Sequence, residues 1–170
     1  MKSSIKNSNK QSPTVNGSGQ GYFTQPTVFQ NQLVFVSEND LWQVLLDGGR
    51  AQRLTSARSE THSPSFSPDG HWIACCTMEE GEHDVYLMES RGGPLQRLTW
   101  LNSVTHIVGW SQDGQYIWFR STHQAVHSRG SDAWLYQVSL NGGPVERLPF
   151  GPAMTANQQL SGKKGIVLGR

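Results

Sequence analysis

Six histidines, two adjacent cysteines and a recurring aspartate–arginine pairing are the groups in this 170-residue chain that could do chemistry. Imidazole titrates near neutrality and is a common metal ligand, so histidines gathered in space could relay protons or bind zinc. In the sequence His62, His71, His83, His106, His123 and His127 are scattered. Only His123 and His127 stand close together, and Asp132 would have to supply a third ligand beside them. A solvated loop accounts for that stretch equally well, and no metal site is assigned. His62 and His106 each follow a threonine, at a separation of 44 residues. That equivalence points to a shared structural task at the start of a strand, with a place at the mouth of an axial channel as the functional alternative.

Cys75 and Cys76 are neighbours in an apolar run. On a strand their side chains face opposite ways, and a disulfide between them would be strained. Two reduced, buried thiols suit a reducing compartment, so the chain is read as cytoplasmic. Asp40 and Asp84 precede apolar runs, and Arg53 and Arg97 follow at the same interval. An inter-strand ion pair explains them, contributing at most about 1 kcal/mol if exposed. No G-x-S-x-G elbow, C-x-x-C, H-E-x-x-H or P-loop is present. Gly17–Gly21 has the glycine spacing of a dinucleotide loop without the preceding strand that such a loop requires. No catalytic, cofactor-binding or metal-ligating residue is assigned, and no cofactor is expected.

The elements that would position these groups are written in a repeat. Gly48–Gly49, Gly92–Gly93 and Gly142–Gly143 are spaced by 44 and 50 residues. Each doublet is followed by Arg-Leu (Arg53–Leu54, Arg97–Leu98, Arg147–Leu148) and preceded by an aromatic (Trp42, Tyr86, Tyr136). Phe66-Ser-Pro-Asp-Gly70 returns as Trp110-Ser-Gln-Asp-Gly114. Between His62 and Thr99 the separators SPDG and SRGG divide four short apolar runs, Pro64–Ser67, His71–Thr77, Val85–Glu89 and Leu95–Thr99. Proline, aspartate and glycine are turn formers for distinct backbone reasons, so two hairpins and a four-stranded antiparallel sheet are predicted. A period near 44 with four strands per unit is the signature of a β-propeller blade. The runs Leu33–Val36, Trp72–Cys76 and Tyr116–Phe119 are apolar on both faces. They need cover on both sides, which stacked blades supply.

The fold class is therefore all-β: a partial β-propeller with three four-stranded antiparallel blades at about 22–55, 62–99 and 105–149, and the start of a fourth at 156–170. Residues 1–21 are rich in Ser, Asn, Gln and Lys with Ile5 and Val15 as their aliphatic residues, and are read as a disordered polar tail with no export signal. The third blade carries six extra residues in Ser121–Ala133. Such loops carry the variable chemistry of propellers. Fourteen basic and thirteen acidic residues leave a net charge of +1 with no long basic block, so neither nucleic acid nor a membrane surface is an expected partner.

The phrases PSFSPDGHWIA, DVYLMESRGG and LQRLT resemble the TolB-type propeller repeat. GYFTQPTVFQNQLVFVSENDLWQVLLDGG, HIVGWSQDGQYIWF and ERLPFGPA, in that order, resemble the amino-terminal six-bladed propeller of tricorn-type serine peptidases. The resemblance spans about Gly21 to Arg170. It implies a multidomain protein with a second, seven-bladed propeller, a PDZ-like domain and a carboxyl-terminal catalytic region that degrades oligopeptides, the propellers acting as gate or filter. The implied partners are the rest of that polypeptide and peptides in transit, and none of the family's catalytic residues falls within this chain. A TolB-like protein-binding propeller and the propeller cap of a prolyl-oligopeptidase-type hydrolase are the alternatives. Since the chain ends at Arg170 within a fourth blade, the ring is expected to stay open. The outer face of blade one, drawn from Leu33, Phe35, Trp42 and Val44, would then lack a neighbour, and self-association or aggregation of the isolated chain is expected.

Overall fold

The computed structural model describes residues 22–56, 59–78, 81–123 and 133–150, and the backbone of 155–158 and 166–169. Among the described residues there are strands, turns and loops and no helix. Blade one consists of β1 (Thr24–Phe29), β2 (Gln32–Ser37), β3 (Asp40–Leu45) and β4 (Gln52–Arg53). Blade two consists of β5 (Thr61–Phe66), β6 (Trp72–Thr77), β7 (Asp84–Glu89) and β8 (Gln96–Arg97). Blade three consists of β9 (Thr105–Trp110), β10 (Tyr116–Ser121), β11 (Trp134–Ser139) and β12 (Glu146–Arg147). A further antiparallel pair, β13 (Thr155–Gln158) and β14 (Ile166–Gly169), follows. Each of the three sheets is a meander in sequence order, and β1, β5, β9 and β13 lie successively side by side as the inner strands.

Turn chemistry sets the hairpins. In blade two the Ser67 hydroxyl donates to Asp69 Oδ1 at 2.6 Å, and the same carboxylate oxygen accepts the His71 N–H at 3.0 Å. Ser67 Oγ in turn accepts the Trp72 N–H at 2.9 Å. Ser111, Asp113, Gln115 and Tyr116 repeat the arrangement in blade three at the same distances. Gly70, at φ +72°, closes the first of these turns, and a Cβ there would sit 2.1 Å from the ring of Phe29 in blade one. Glycine at this position serves both the backbone and the fit between blades.

Two strand boundaries of blade two differ from the sequence reading by more than one residue, each for a local reason. The first strand of blade two begins at Thr61 and not at Pro64, because a bulge between His62 and Ser65 lets pairing with β6 resume on either side of the proline. A proline has no N–H for a ladder and is tolerated at such a bulge. The fourth strand is two residues long, shorter than Leu95–Thr99. Beyond Arg97 the Thr99 hydroxyl, not a backbone carbonyl, takes the Val85 N–H at 2.9 Å, and the ladder stops there.

Successive residues of a strand face opposite blades, which is why the apolar runs do not alternate. Ile73 and Cys75 lie with Val34, Val36, Leu41 and Met88 between blades one and two. Ala74 lies with Leu87, Trp110, Ile117 and Phe119 between blades two and three. Ile73, Ile117 and Phe119 are fully buried, each burial stabilising by roughly 1.5–3 kcal/mol. Both cysteines are buried and reduced. On the other side of blade one, Phe23 sits edge-on to Phe35 with centroids 5.0 Å apart. Beside them Pro26, Leu33 and Val44 line an apolar hollow of about 380 Å³. Trp42 instead spends its indole N–H on the Ser37 carbonyl, 3.1 Å away.

Candidate functional site

Three of the six histidines meet where the inner strands of the blades begin. Thr24-Gln25, Thr61-His62 and Thr105-His106 open β1, β5 and β9 at equivalent places. The threonines are structural in blades two and three. Thr61 and Thr105 are fully buried, and their hydroxyls reach Thr77 Oγ1 at 3.5 Å and Ser121 Oγ at 3.1 Å on the adjoining strands. The residue after each threonine therefore turns to the other face, toward its counterparts in neighbouring blades.

Distances define a chain of contacts. His83, from the β6–β7 connection, has Nδ1 at 2.6 Å from His62 Nε2. His62 Nδ1 lies 2.9 Å from Ser63 Oγ, and Ser63 Oγ lies 3.3 Å from His106 Nδ1 in the next blade. The His62 ring centroid is 4.4 Å from that of His83 and 4.8 Å from that of His106. On the opposite side Gln25 Oε1 accepts the Ser63 N–H, so blade one is tied to the same residue. Gln25 and Ser63 hold φ values of 52° and 53°, in the left-handed region that L-residues seldom adopt. Strain of this kind persists only where the surroundings enforce it, and it gathers at functional positions.

The electrostatics favour uncharged rings. Burial pushes His62 down to about 3, with His83, His106 and the Arg120 guanidinium adding to the effect. His106 is lowered as well, by burial first and then by Arg120 and His83. Arg120 lies directly across the β9–β10 ladder from His106. The Ser63–His62 contact has the look of a nucleophile and its base, yet a ring that ionises near 3 is a poor base at neutral pH. Its second nitrogen faces His83 and not an orienting carboxylate. Among the described residues no group of three His, Cys, Asp or Glu is placed to hold a metal ion.

The structure joins His62 and His106, which the repeat had marked as equivalent, and adds His83, which pairwise spacing had not singled out. The register brings it near: Thr61 pairs with Thr77 and Thr77 with Asp84, so residues 62 and 83 flank one level of the blade from either side. Of the loop histidines, His123 offers its carbonyl to the Tyr136 hydroxyl at 2.6 Å, while His127 and Asp132 lie outside the described residues. Asp40–Arg53 and Asp84–Arg97 are ion pairs as read from the repeat, but the acids are buried and not exposed.

Comparison with known proteins gives a consistent picture. The family described as "Tricorn protease N-terminal beta propeller domain" matches residues 20–168. Tricorn protease homolog 1 of Streptomyces coelicolor is 34% identical over 131 residues, covering 77% of this chain and 12% of that protein. The chain thus spans about an eighth of the length of that relative. The crystal structure of the tricorn protease superposes with a TM-score of 0.71 at 23% identity, over 82% of this chain and 14% of that one. TolB from Acinetobacter baumannii superposes at 0.62 with 22% identity, over 81% of this chain and 34% of that one, which speaks to the shared propeller fold. No helix among the described residues is long and apolar enough to cross a membrane. With its blades, its inner strands and its family match in agreement, the chain belongs to the tricorn protease N-terminal β-propeller family.

Proposed function

We propose that this chain is the amino-terminal propeller portion of a cytoplasmic, oligopeptide-degrading serine peptidase, where it gates or filters peptides and takes no covalent part in their hydrolysis. The observation that carries this reading is the family match across residues 20–168, on a chain whose inner strands stand side by side around what would be a propeller axis. Ser63 supports the non-catalytic role, because its imidazole neighbour is neutral and buried and lacks a carboxylate partner. Buried, reduced Cys75 and Cys76 suit the cytoplasm. The remaining polypeptide of the peptidase is the proposed partner, and the apolar hollow of Phe23, Leu33, Phe35 and Val44 is a surface against which a further blade, or a second copy, would pack.

Two assays test the reading. The isolated chain is expected to release no fluorophore from a mixed peptide panel, and turnover abolished by a serine-reactive phosphonate would overturn the non-catalytic role. In the polypeptide that carries it, deletion of residues 22–170 is expected to alter the ratio of long-peptide to short-peptide hydrolysis. An unchanged ratio with intact activity would remove the gating role.

A further inference from the structure

We propose that His62, His83, His106 and Ser63 form a proton-sensitive latch, which holds the inner strand of blade two against its own β6–β7 connection and, through Ser63, against the inner strand of blade three while the rings are neutral, and which loosens when the His62–His83 pair takes up a second proton. The latch does not depend on what moves along the axis, so it stands apart from the gating role.

Proton accounting along the chain of contacts carries the inference. One consistent arrangement has the His106 Nδ1–H donating to Ser63 Oγ, the Ser63 hydroxyl donating to His62 Nδ1, and the His62 Nε2–H donating to His83 Nδ1. All three rings are then neutral and every link is satisfied. A single added proton is tolerated: a doubly protonated His62 donates through both nitrogens, to Ser63 Oγ and to His83 Nδ1, and Ser63 Oγ then accepts from both His62 and His106, its own hydrogen turning away from the two rings. A second proton on His83 is not tolerated, because two N–H groups would then face each other across the 2.6 Å gap. The 4.4 Å between those ring centroids would also separate two cations in a largely desolvated place.

The surroundings offer the added charge little relief. Across β6, Cys76 is opposite His62, and burial raises its thiol well above its usual range, so it stays neutral. From β10, Arg120 adds a positive charge opposite His106, and from β1 Gln25 is neutral. Asp84, next to His83, already receives Arg97, the Thr99 hydroxyl and the Leu101 N–H. Since the folded state disfavours the protonated rings of His62 and His106, their contribution to stability is present above the ordinary histidine range near 6.5 and is lost as the pH falls from there toward about 3.

The test uses the 170-residue chain with ¹⁵N-labelled histidine, following ring protonation and tautomer by NMR from pH 8 to pH 4 alongside amide exchange. His62 and His106 are expected to stay neutral through pH 6. Once the pair begins to take its second proton, protection factors of the amides in β5 and β9 should fall about tenfold per pH unit, while those in β3 hold. His83→Gln leaves both inner strands with their own residues and should reduce the acid-induced loss of protection to the part that burial and Arg120 impose on His62 and His106, whereas His71→Gln in the distant turn should preserve it in full. Independent titration of all three rings near 6.5 would overturn the latch. So would an unchanged acid response in His83→Gln.

Discussion

In blade two, Asp84 opens the third strand, and its carboxylate accepts the Arg97 guanidinium at 2.7 Å, the Thr99 hydroxyl at 2.6 Å and the Leu101 N–H at 2.8 Å. In blade three, Trp134 opens the corresponding strand and Pro149 stands where the threonine would be. Arg147 is retained, and its guanidinium lies 3.5 Å from the centroid of the Trp134 ring. Blade one follows blade two, with Asp40 bound to Arg53 and, at 2.7 Å, to the Thr55 hydroxyl. Acid and hydroxyl are thus present together or absent together. A carboxylate as buried as Asp84 is tolerable only when several donors neutralise it, and without the acid the threonine loses its acceptor. Arginine serves both designs because its planar cation can fork onto a carboxylate or stack on an aromatic face. The carboxylate of blade two also anchors the connector into blade three through Leu101, which the tryptophan stack cannot do.

The sharpest way to probe this difference is to remove the acid. Asp84→Ala should destabilise the chain by about 3 kcal/mol in denaturant unfolding, since Arg97 and the Thr99 hydroxyl lose their shared acceptor in a largely dry place. A loss below about 1 kcal/mol would show that blade two rests on apolar contacts, as blade three does. A smaller effect is expected from rebuilding the blade-two arrangement in blade three. Trp134→Asp and Pro149→Thr should each destabilise alone, while the double variant recovers about 1 kcal/mol relative to the sum of the two. Strict additivity would break the claim that acid and hydroxyl act as a unit. The smallest effect belongs to Arg147→Lys, which keeps the charge but loses the flat face over Trp134 and should cost about 0.5 kcal/mol. A loss as large as that of Asp84→Ala would mean that the stack holds blade three as firmly as the ion pair holds blade two.

Much of the fold is legible in the sequence because its determinants are local. The SPDG and SQDG turns satisfy their own backbones through Ser67–Asp69 and Ser111–Asp113, so they mark hairpins whatever surrounds them. Apolar runs such as Trp72–Cys76 announce a strand covered on both faces, and Ile73 and Ala74 indeed point into different inter-blade cores. The Asp–Arg pairs could be read because register places them on adjacent strands of one blade, Asp84 opening β7 and Tyr86 opposite Arg97. Only the tertiary structure decided the contacts between blades. His62 of blade two meets His106 of blade three across 44 positions, and their ring separation of 4.8 Å depends on how closely two sheets splay from a common axis. No turn residue or periodicity encodes that angle. It is set by side-chain volumes packed between the sheets, and by Gly70 making room for Phe29. The left-handed backbone at Gln25 and Ser63 was not legible either, because neither residue type requests it and it sits in bulges of the β1–β2 and β5–β6 pairings, which depend on strand register and not on the residue itself.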